Sequence, residues 1–292
     1  MTPVIGGARW DIHATPDASK ALIAAMGSYP PADQQGEIRI DVWTACTPLA
    51  GEPHTTLSHR VGPYIAHVTP NGAHLYNTDA AEGWLMLPKT GDRKGRVGTN
   101  VLFPFISWWA RSRGLVPLHA AALGVDGRYW LIPAASGSGK SVACVLGQAE
   151  GLQSLGDDVV LWDPASNTVH AINQTVRVTP AGLRLVAGHL ERAGLRHQDY
   201  GSDGKALLVA ERPWPRVGSL AGILLIGERD ATQAAAHRQM LSTLPMMIWS
   251  GVDPRPVCEA LAHLARSARL RSVTRSTDPD DWAHTLARVC RD

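Results

Sequence analysis

The 292-residue sequence predicts an α/β fold in its C-terminal two-thirds, with a smaller β-rich module before it. Two observations lead to this fold class. An apolar strand pattern at residues 129–132 runs through a Gly/Ser-rich turn into a helical pattern at residues 141–150, and further strand and helix patterns alternate after it. The first hundred residues instead carry short strand patterns. We therefore expect modules at residues 1–110 and 111–292, with the boundary between residues 98 and 116.

Local residue patterns predict the strands of the first module. Residues 37–43 alternate polar and apolar side chains, with three apolar ones on one face, as a half-buried strand requires. Thr15-Pro16-Asp17 predicts the start of an early helix, because proline suits the first turn. The basic, glycine-containing stretch at residues 88–98 is expected to be an exposed loop, or alternatively a contact for an anionic ligand. Three further strands are predicted at residues 64–68, 73–76 and 84–87.

Longer patterns mark the second module. Strands are predicted at residues 129–132, 159–162 and 222–226. Two C-terminal helices are expected from apolar residues that share one face, at residues 257–268 and 282–289, and the latter helix opens at Asp278-Pro279. Near the boundary, Trp108-Trp109 is expected to pack in the core as part of a buried helix. The alternative is a stacking surface beside neighbouring arginines.

The stretch from Ala134 to Ser141 carries the strongest chemical signal, because it leaves a strand and enters a helix. Its glycines allow a tight turn in which backbone N–H groups converge on a β-phosphate, and the following helix adds its positive end. Lys140 would reach the β- and γ-phosphates, and the Ser141 hydroxyl would bind Mg²⁺. The residues predicted to bind ATP are Ser136, Gly137, Ser138, Gly139, Lys140 and Ser141.

One position departs from the strict phosphate-loop pattern. Ala134 stands where that pattern has glycine. Alanine fits there only if the backbone does not need a positive φ angle. The alternative interpretation is a Gly/Ser-rich turn that happens to precede a lysine.

A carboxylate pair and a histidine lie at characteristic distances from this loop. Asp157-Asp158 begins seventeen residues after Lys140, beside an apolar strand, and His119 stands twenty-one residues before Lys140. Adjacent side chains at a strand edge point in different directions, so one carboxylate can face a metal and the other an acceptor hydroxyl. Taken singly, the pair could be a surface turn and His119 a core histidine. The joint spacing of the histidine, the loop and the carboxylate pair favours a shared catalytic site over these separate structural roles.

Together, His119, the loop at residues 136–141 and Asp157-Asp158 resemble the catalytic domain of the HPr kinase/phosphorylase family. More closely, they resemble the HPr-kinase-like proteins encoded beside biosynthetic clusters for lasso peptides and other modified peptides. The resemblance covers residues 115–290 and is strongest at residues 117–163. The Glu-x-Arg-Gly signature of true HPr kinase/phosphorylases is missing from the equivalent stretch at residues 177–184, which argues against HPr as substrate and against phosphorylase activity.

The resemblance implies a role for each site residue. Asp157 would be the base that orients or accepts the proton of the acceptor hydroxyl, with His119 contacting and tuning it and Lys140 assisting transfer. Asp158 would complete the Mg²⁺ shell with Ser141. The roles of the two aspartates could be exchanged. Three further cations lie where an additional phosphate-neutralising group is expected by analogy: Arg177, Arg184 and Lys205.

The expected function is therefore an ATP- and Mg²⁺-dependent kinase that acts on a hydroxyl group. The acceptor would be a serine of a peptide or a small metabolite, and the peptide could be a ribosomally made one such as a lasso peptide. The alternatives are a non-catalytic ATP-binding regulator and a true HPr(Ser) kinase/phosphorylase. The sequence leaves open the acceptor, the donor (ATP, ADP or pyrophosphate) and the oligomeric state, including a homo-oligomer.

Composition excludes several other classes. The 28 basic side chains almost balance the 26 acidic ones, so there is no reason to expect nucleic-acid binding. No membrane span is expected, because the most apolar segment, residues 101–110, is about half the length needed and contains a proline. The first ten residues lack a signal-peptide pattern. The four cysteines form no C-x-x-C pair, which argues against a disulfide scaffold or zinc knuckle, and a cytoplasmic location is expected.

Overall fold

A computed structural model describes residues 4–5, 8–16, 18–19, 37–45, 57–69, 72–88, 101–200, 204–243 and 253–292. The protein is a mixed α/β protein, as the sequence predicts. The described residues fall into two compact units. The first unit holds those up to Arg113 together with Asp253, and the second holds Gly114–Tyr200, residues 204–243 and Pro254–Asp292. The interpretation of these units as the two predicted modules stays a prediction.

The first unit contains a seven-stranded sheet and one described helix, α1 (Phe103–Ser112). The strands are β1 (Val4–Ile5), β2 (Ala8–Ala14), β3 (Ile38–Ala45), β4 (Leu57–Val61), β5 (Tyr64–Thr69), β6 (Gly72–Asn77) and β7 (Glu82–Pro88). They lie in the order β1-β2-β3-β7-β6-β5-β4. The central strands β2, β3 and β7 run parallel, whereas the strands from β7 to β4 pair antiparallel.

The alternating patterns of this unit are confirmed as strands β3, β5, β6 and β7. The apolar residues of β3 are buried on one face of the sheet. Trp108 and Trp109 are also buried, so the core interpretation is confirmed for α1. At the predicted helix start, the Ser19 N–H donates to the Thr15 carbonyl at 2.8 Å. The rest of that helix, and the predicted loop beyond Pro88, lie outside the described residues.

The second unit is built around an eight-stranded mixed sheet. The strands are β8 (Val116–Leu118), β9 (Ala120–Val125), β10 (Arg128–Pro133), β11 (Gln153–Gly156), β12 (Val160–Asp163), β13 (Thr168–Ala171), β17 (Val217–Ile226) and β18 (Leu270–Val273). Seven of them follow the order β11-β9-β10-β17-β13-β12-β8, and β18 pairs with β17. A three-stranded sheet, in the order β14-β16-β15, comprises β14 (Thr175–Val178), β15 (Leu195–Tyr200) and β16 (Ala206–Ala210).

Five described helices accompany these sheets, and the large sheet has a core on each face. Along β10, Trp130 and Ile132 face one core and Tyr129 and Leu131 the other, because successive strand residues point to opposite sides. This two-sided burial explains the continuous apolar run in β10. The helices are α2 (Lys140–Ala149), α3 (Pro180–Val186), α4 (Gln233–Leu241), α5 (Arg255–Ser267) and α6 (Pro279–Arg291).

The C-terminal elements form as predicted. Strands β10, β12 and β17 and helices α2, α5 and α6 all match their sequence patterns. Helix α6 begins where expected, since the Asp278 carboxylate accepts the N–H of Asp280 at 2.9 Å. None of the helices in the described chain is both long and apolar enough to cross a membrane.

Strand direction determines which loops meet at one edge of the large sheet. β17 runs parallel to β10 and to β18, whereas β9 runs antiparallel to β10 and to β11. β10, β11, β17 and β18 therefore all end at the same edge, where β9 begins. The segments that follow β10, β11 and β18, and the residue that precedes β9, consequently lie along this edge.

Candidate functional site

The turn between β10 and α2 has the backbone that the phosphate-loop pattern requires. Gly137 and Gly139 have φ angles of 81° and 102°, which glycine adopts without the strain that other residues incur. A Cβ atom on Gly139 would also lie 2.9 Å from the ring of Trp282. Gly139 is the N-cap of α2 and no side chain caps the helix there. The first N–H groups of α2 are therefore open to an anion.

Ala134 is compatible with this loop. It is buried directly after β10, and it is not among the described residues with a positive φ angle. The condition under which alanine can replace glycine is therefore met at this position.

Lys140 lies over the loop, where its pattern position requires it. The side chain is buried, and its Nζ donates hydrogen bonds to the carbonyl oxygen of Ala134 and, at 3.1 Å, to that of Ala135. Burial lowers the pKa of Lys140, while the charges of Asp157 and Asp158 oppose that shift. The ammonium group is thus within electrostatic range of both carboxylates.

Asp157 follows β11 directly and is 1% exposed. Its Oδ2 accepts the N–H of Arg177 at 3.2 Å, and the Ser141 side chain lies near enough to lower the pKa of the carboxyl group. Oδ1 is buried and accepts no hydrogen bond of normal geometry from any described residue. Burial raises the pKa of Asp157, and the charge of Asp158 raises it further. A buried carboxylate oxygen without a partner is costly, which suggests that a ligand satisfies it.

Asp158 occupies a strained turn beside His119. Its φ angle is 72°, and the Val159 N–H donates to the Asp157 carbonyl at 2.9 Å, the hydrogen bond of a γ-turn. His119 Nδ1 lies 2.6 Å from the Asp158 carbonyl oxygen and 3.2 Å from Asp158 Oδ1. Because a carbonyl oxygen only accepts, Nδ1 carries a proton. Burial lowers the pKa of His119, as does the charge of Lys140.

The two carboxylates therefore have the opposite contacts from those that the resemblance implied. His119 was expected beside Asp157, yet it bonds to Asp158. Ser141 was expected to share a metal with Asp158, yet its side chain lies near Asp157 and lowers the pKa of that carboxyl group. These contacts favour the exchanged roles that the sequence left open.

A further cation can now be singled out among the three candidates. Lys205 directly precedes β16, and its charge lowers the pKa of both His119 and Lys140, so it lies within electrostatic range of both. Arg177 contributes its backbone N–H to Asp157, as described above. Arg184 lies exposed in the last turn of α3.

Sequence reasoning missed one residue of this region, Arg275. It lies two residues after β18, and its Nη1 donates to the Ser138 carbonyl at 2.8 Å. No sequence pattern marks it, because its contact spans 137 residues.

The oxygen ligands at this edge suit magnesium. Mg²⁺ prefers oxygen, and it usually takes one or two protein carboxylates together with water and phosphate oxygens. The Oδ1 of Asp157 and the Ser141 hydroxyl fit that preference. Among the described residues, no group of three or more His, Cys, Asp or Glu side chains forms a metal cage of the kind that zinc requires.

The described edge thus combines an open helix N-terminus, two amino groups, two carboxylates and a histidine. These are the parts that phosphoryl transfer to a hydroxyl needs. No protein-family model and no curated protein matches the sequence.

Proposed function

We propose that the protein is an ATP-dependent kinase that transfers a phosphoryl group to a hydroxyl of a peptide or small metabolite. On this proposal, the second unit is a phosphate-loop domain similar to that of HPr kinase, and the first unit is its β-rich N-terminal module. The acceptor class includes serine residues of ribosomally made peptides, to which the resemblance points.

The observation that carries the proposal is the position of Asp157. Its carboxyl group is buried near a phosphate-loop serine, with Oδ1 unpaired, and the adjacent Asp158 is partly exposed next to His119. A protein that only senses nucleotide has no need of a second carboxylate that a histidine orients. The pair therefore supports catalysis over a purely regulatory role.

Each residue has a role in this mechanism. The loop N–H groups and the end of α2 bind the phosphates of ATP, and Lys140 moves from the loop carbonyls to the β- and γ-phosphates. Lys205 adds a second positive charge near the transferred group. Asp158 orients the acceptor hydroxyl and accepts its proton, because its side chain is 21% exposed and Asp157 is enclosed. His119 holds Asp158 in place.

The metal ligands follow from the same contacts. Ser141 and Asp157 would hold Mg²⁺ together with the ATP phosphates. Bound Mg²⁺ neutralises charge on the phosphoryl oxygens. Asp157 therefore has a metal-binding role, and the adjacent Asp158 is left for the acceptor.

The test is a phosphorylation reaction with ATP and Mg²⁺, followed by intact-mass spectrometry. The acceptors are a library of serine-containing peptides and, separately, a set of small alcohols. We expect an acceptor to gain the mass of one phosphoryl group with the wild-type protein, and no gain with Lys140→Ala. Binding of ATP without transfer to any acceptor would favour the regulator. Absence of ATP binding would contradict both functions.

A further inference from the structure

The edge of the large sheet places the reacting groups and Arg275 on opposite sides of the phosphate loop. From one side to the other, the strands run β11, β9, β10, β17, β18. Asp158 and His119 belong to the β11 and β9 side, the loop follows β10, and Arg275 follows β18. This order is a consequence of strand pairing and does not depend on the position of any ligand.

A bound triphosphate chain has two different ends. Its γ-phosphoryl end must lie where the acceptor hydroxyl is activated, which is the side of Asp158. With the β-phosphate held by the loop, the other end of the chain, which carries the nucleoside, extends towards β17 and β18. Ligands of parallel α/β sheets commonly lie along the carboxyl ends of several strands in this way.

Arg275 contacts the carbonyl side of the phosphate loop. A phosphate loop binds its anion through main-chain N–H groups, whereas Arg275 donates to the Ser138 carbonyl. Its Cδ and Nη1 would each lie 3.6 Å from a Cβ on Gly139, so the side chain lies along the loop backbone. Arg275 is exposed and presents a planar group with several donors beyond this one bond.

We infer that Arg275, in the loop between β18 and α6, forms the nucleoside subsite of the proposed kinase, with its guanidinium against the base or ribose. A guanidinium both stacks on flat rings and donates hydrogen bonds, which suits a nucleoside better than lysine would. This inference rests on the proposed function. It adds a ligand-binding role for a residue outside the phosphate loop and the reacting carboxylates.

The experiment compares ATP with inorganic tripolyphosphate, both with Mg²⁺, by calorimetry. Arg275→Ala should weaken ATP binding by about fivefold or more, the size expected for a guanidinium–ring contact, and leave tripolyphosphate binding unchanged. Lys140→Ala should weaken the binding of both ligands. Arg275→Lys retains a donor for the Ser138 carbonyl and should still lose ATP affinity. Arg266→Ala, at an exposed position of α5, is the control and should change neither affinity.

The outcomes separate this inference from the proposed function. If the Arg275 variants lose affinity for ATP and for tripolyphosphate equally, Arg275 only supports the loop. If they lose no affinity for ATP, Arg275 is not part of the site. Either result overturns the nucleoside subsite but does not contradict the proposal that the protein binds nucleotide. If the wild-type protein binds neither ligand, the proposed function and the subsite both fail. Thermal unfolding of each variant verifies that it is folded.

Discussion

His119 and Asp158 are joined across 39 residues of sequence by a hydrogen bond of 2.6 Å from Nδ1 to the main-chain carbonyl oxygen. The bond fixes the proton on Nδ1 and supports a residue whose φ angle of 72° belongs to a γ-turn, a conformation that is rare and strained. On the proposed function, His119 is therefore a positioning residue that holds the second carboxylate in a strained turn.

A first prediction tests this positioning role. His119→Ala removes the donor to the Asp158 carbonyl and should lower the transfer rate by about 10–100-fold, as loss of such supporting contacts does elsewhere. His119→Asn retains an N–H donor close to the position of Nδ1 and should recover part of the rate. ATP affinity should stay near that of the wild-type protein in both variants. A rate in His119→Asn as low as in His119→Ala would show that the imidazole itself is needed.

The exchanged carboxylate roles lead to a paired prediction. Asp158→Asn tolerates the positive φ angle but cannot accept a proton, so transfer should fall by about 10²–10⁴-fold with ATP binding retained. Asp157→Asn should weaken Mg²⁺-dependent ATP binding as well as turnover, because it alters the proposed metal ligand. Calorimetry and initial rates measure both effects. The reverse pattern would restore the roles that the resemblance implied, and normal transfer in both variants would make the pair a structural turn.

Nucleotide binding should depend on Lys140. Lys140→Ala removes a charge-assisted contact worth about 1.5–3 kcal/mol, so affinity for ATP with Mg²⁺ should fall by roughly tenfold or more. Ala134→Gly is the matched control in the same loop. Since Ala134 does not have a positive φ angle, glycine there should leave affinity unchanged. Unchanged affinity in Lys140→Ala would rule out the phosphate-loop assignment.

The first unit should lose stability in acid through His74. Burial lowers the pKa of His74 to about 4, against 6.5 for an exposed histidine. Between these pH values the unfolded chain binds a proton that the folded chain does not. The contribution of neutral His74 to the free energy of unfolding is therefore fully present above pH 6.5 and is lost as the pH falls to 4. The loss attributable to His74 is at most about 3 kcal/mol.

His74→Gln is the variant that isolates this effect. His74 Nε2 lies 2.8 Å from the Val101 carbonyl, and glutamine can supply a donor in a similar place without titrating. Denaturant unfolding between pH 4 and 7 should show a shallower pH dependence in the variant. The same slope in both proteins would assign the acid sensitivity to other groups.

Much of the fold was accessible from local pattern. Alternation identified β3, turn residues between short strand patterns identified β5, β6 and β7, and the strand–turn–helix context identified β10 and α2. These signals are local, because burial with a period of 2 or 3.6 residues determines which neighbouring positions are apolar. Less was visible where strands are short. β8, β11, β13 and β18 have three or four residues each, too few to show alternation, and β12 is as short but was marked by its continuous apolar run. β9 is buried along nearly its whole length, so its residues do not alternate.

The membership of the candidate site was predictable, but its pairing was not. Spacing along the chain brought His119, Lys140 and the two aspartates into one hypothesis. Which carboxylate meets Ser141 and which meets His119 depends on the γ-turn at Asp158, and adjacent residues in a sequence do not reveal a turn whose φ angle is positive. The approach of Arg275 to Ser138 depends on the parallel pairing of β17 with both β10 and β18. Such contacts form between distant chain segments that the sheet brings together, so the spacing of residues along the sequence does not predict them.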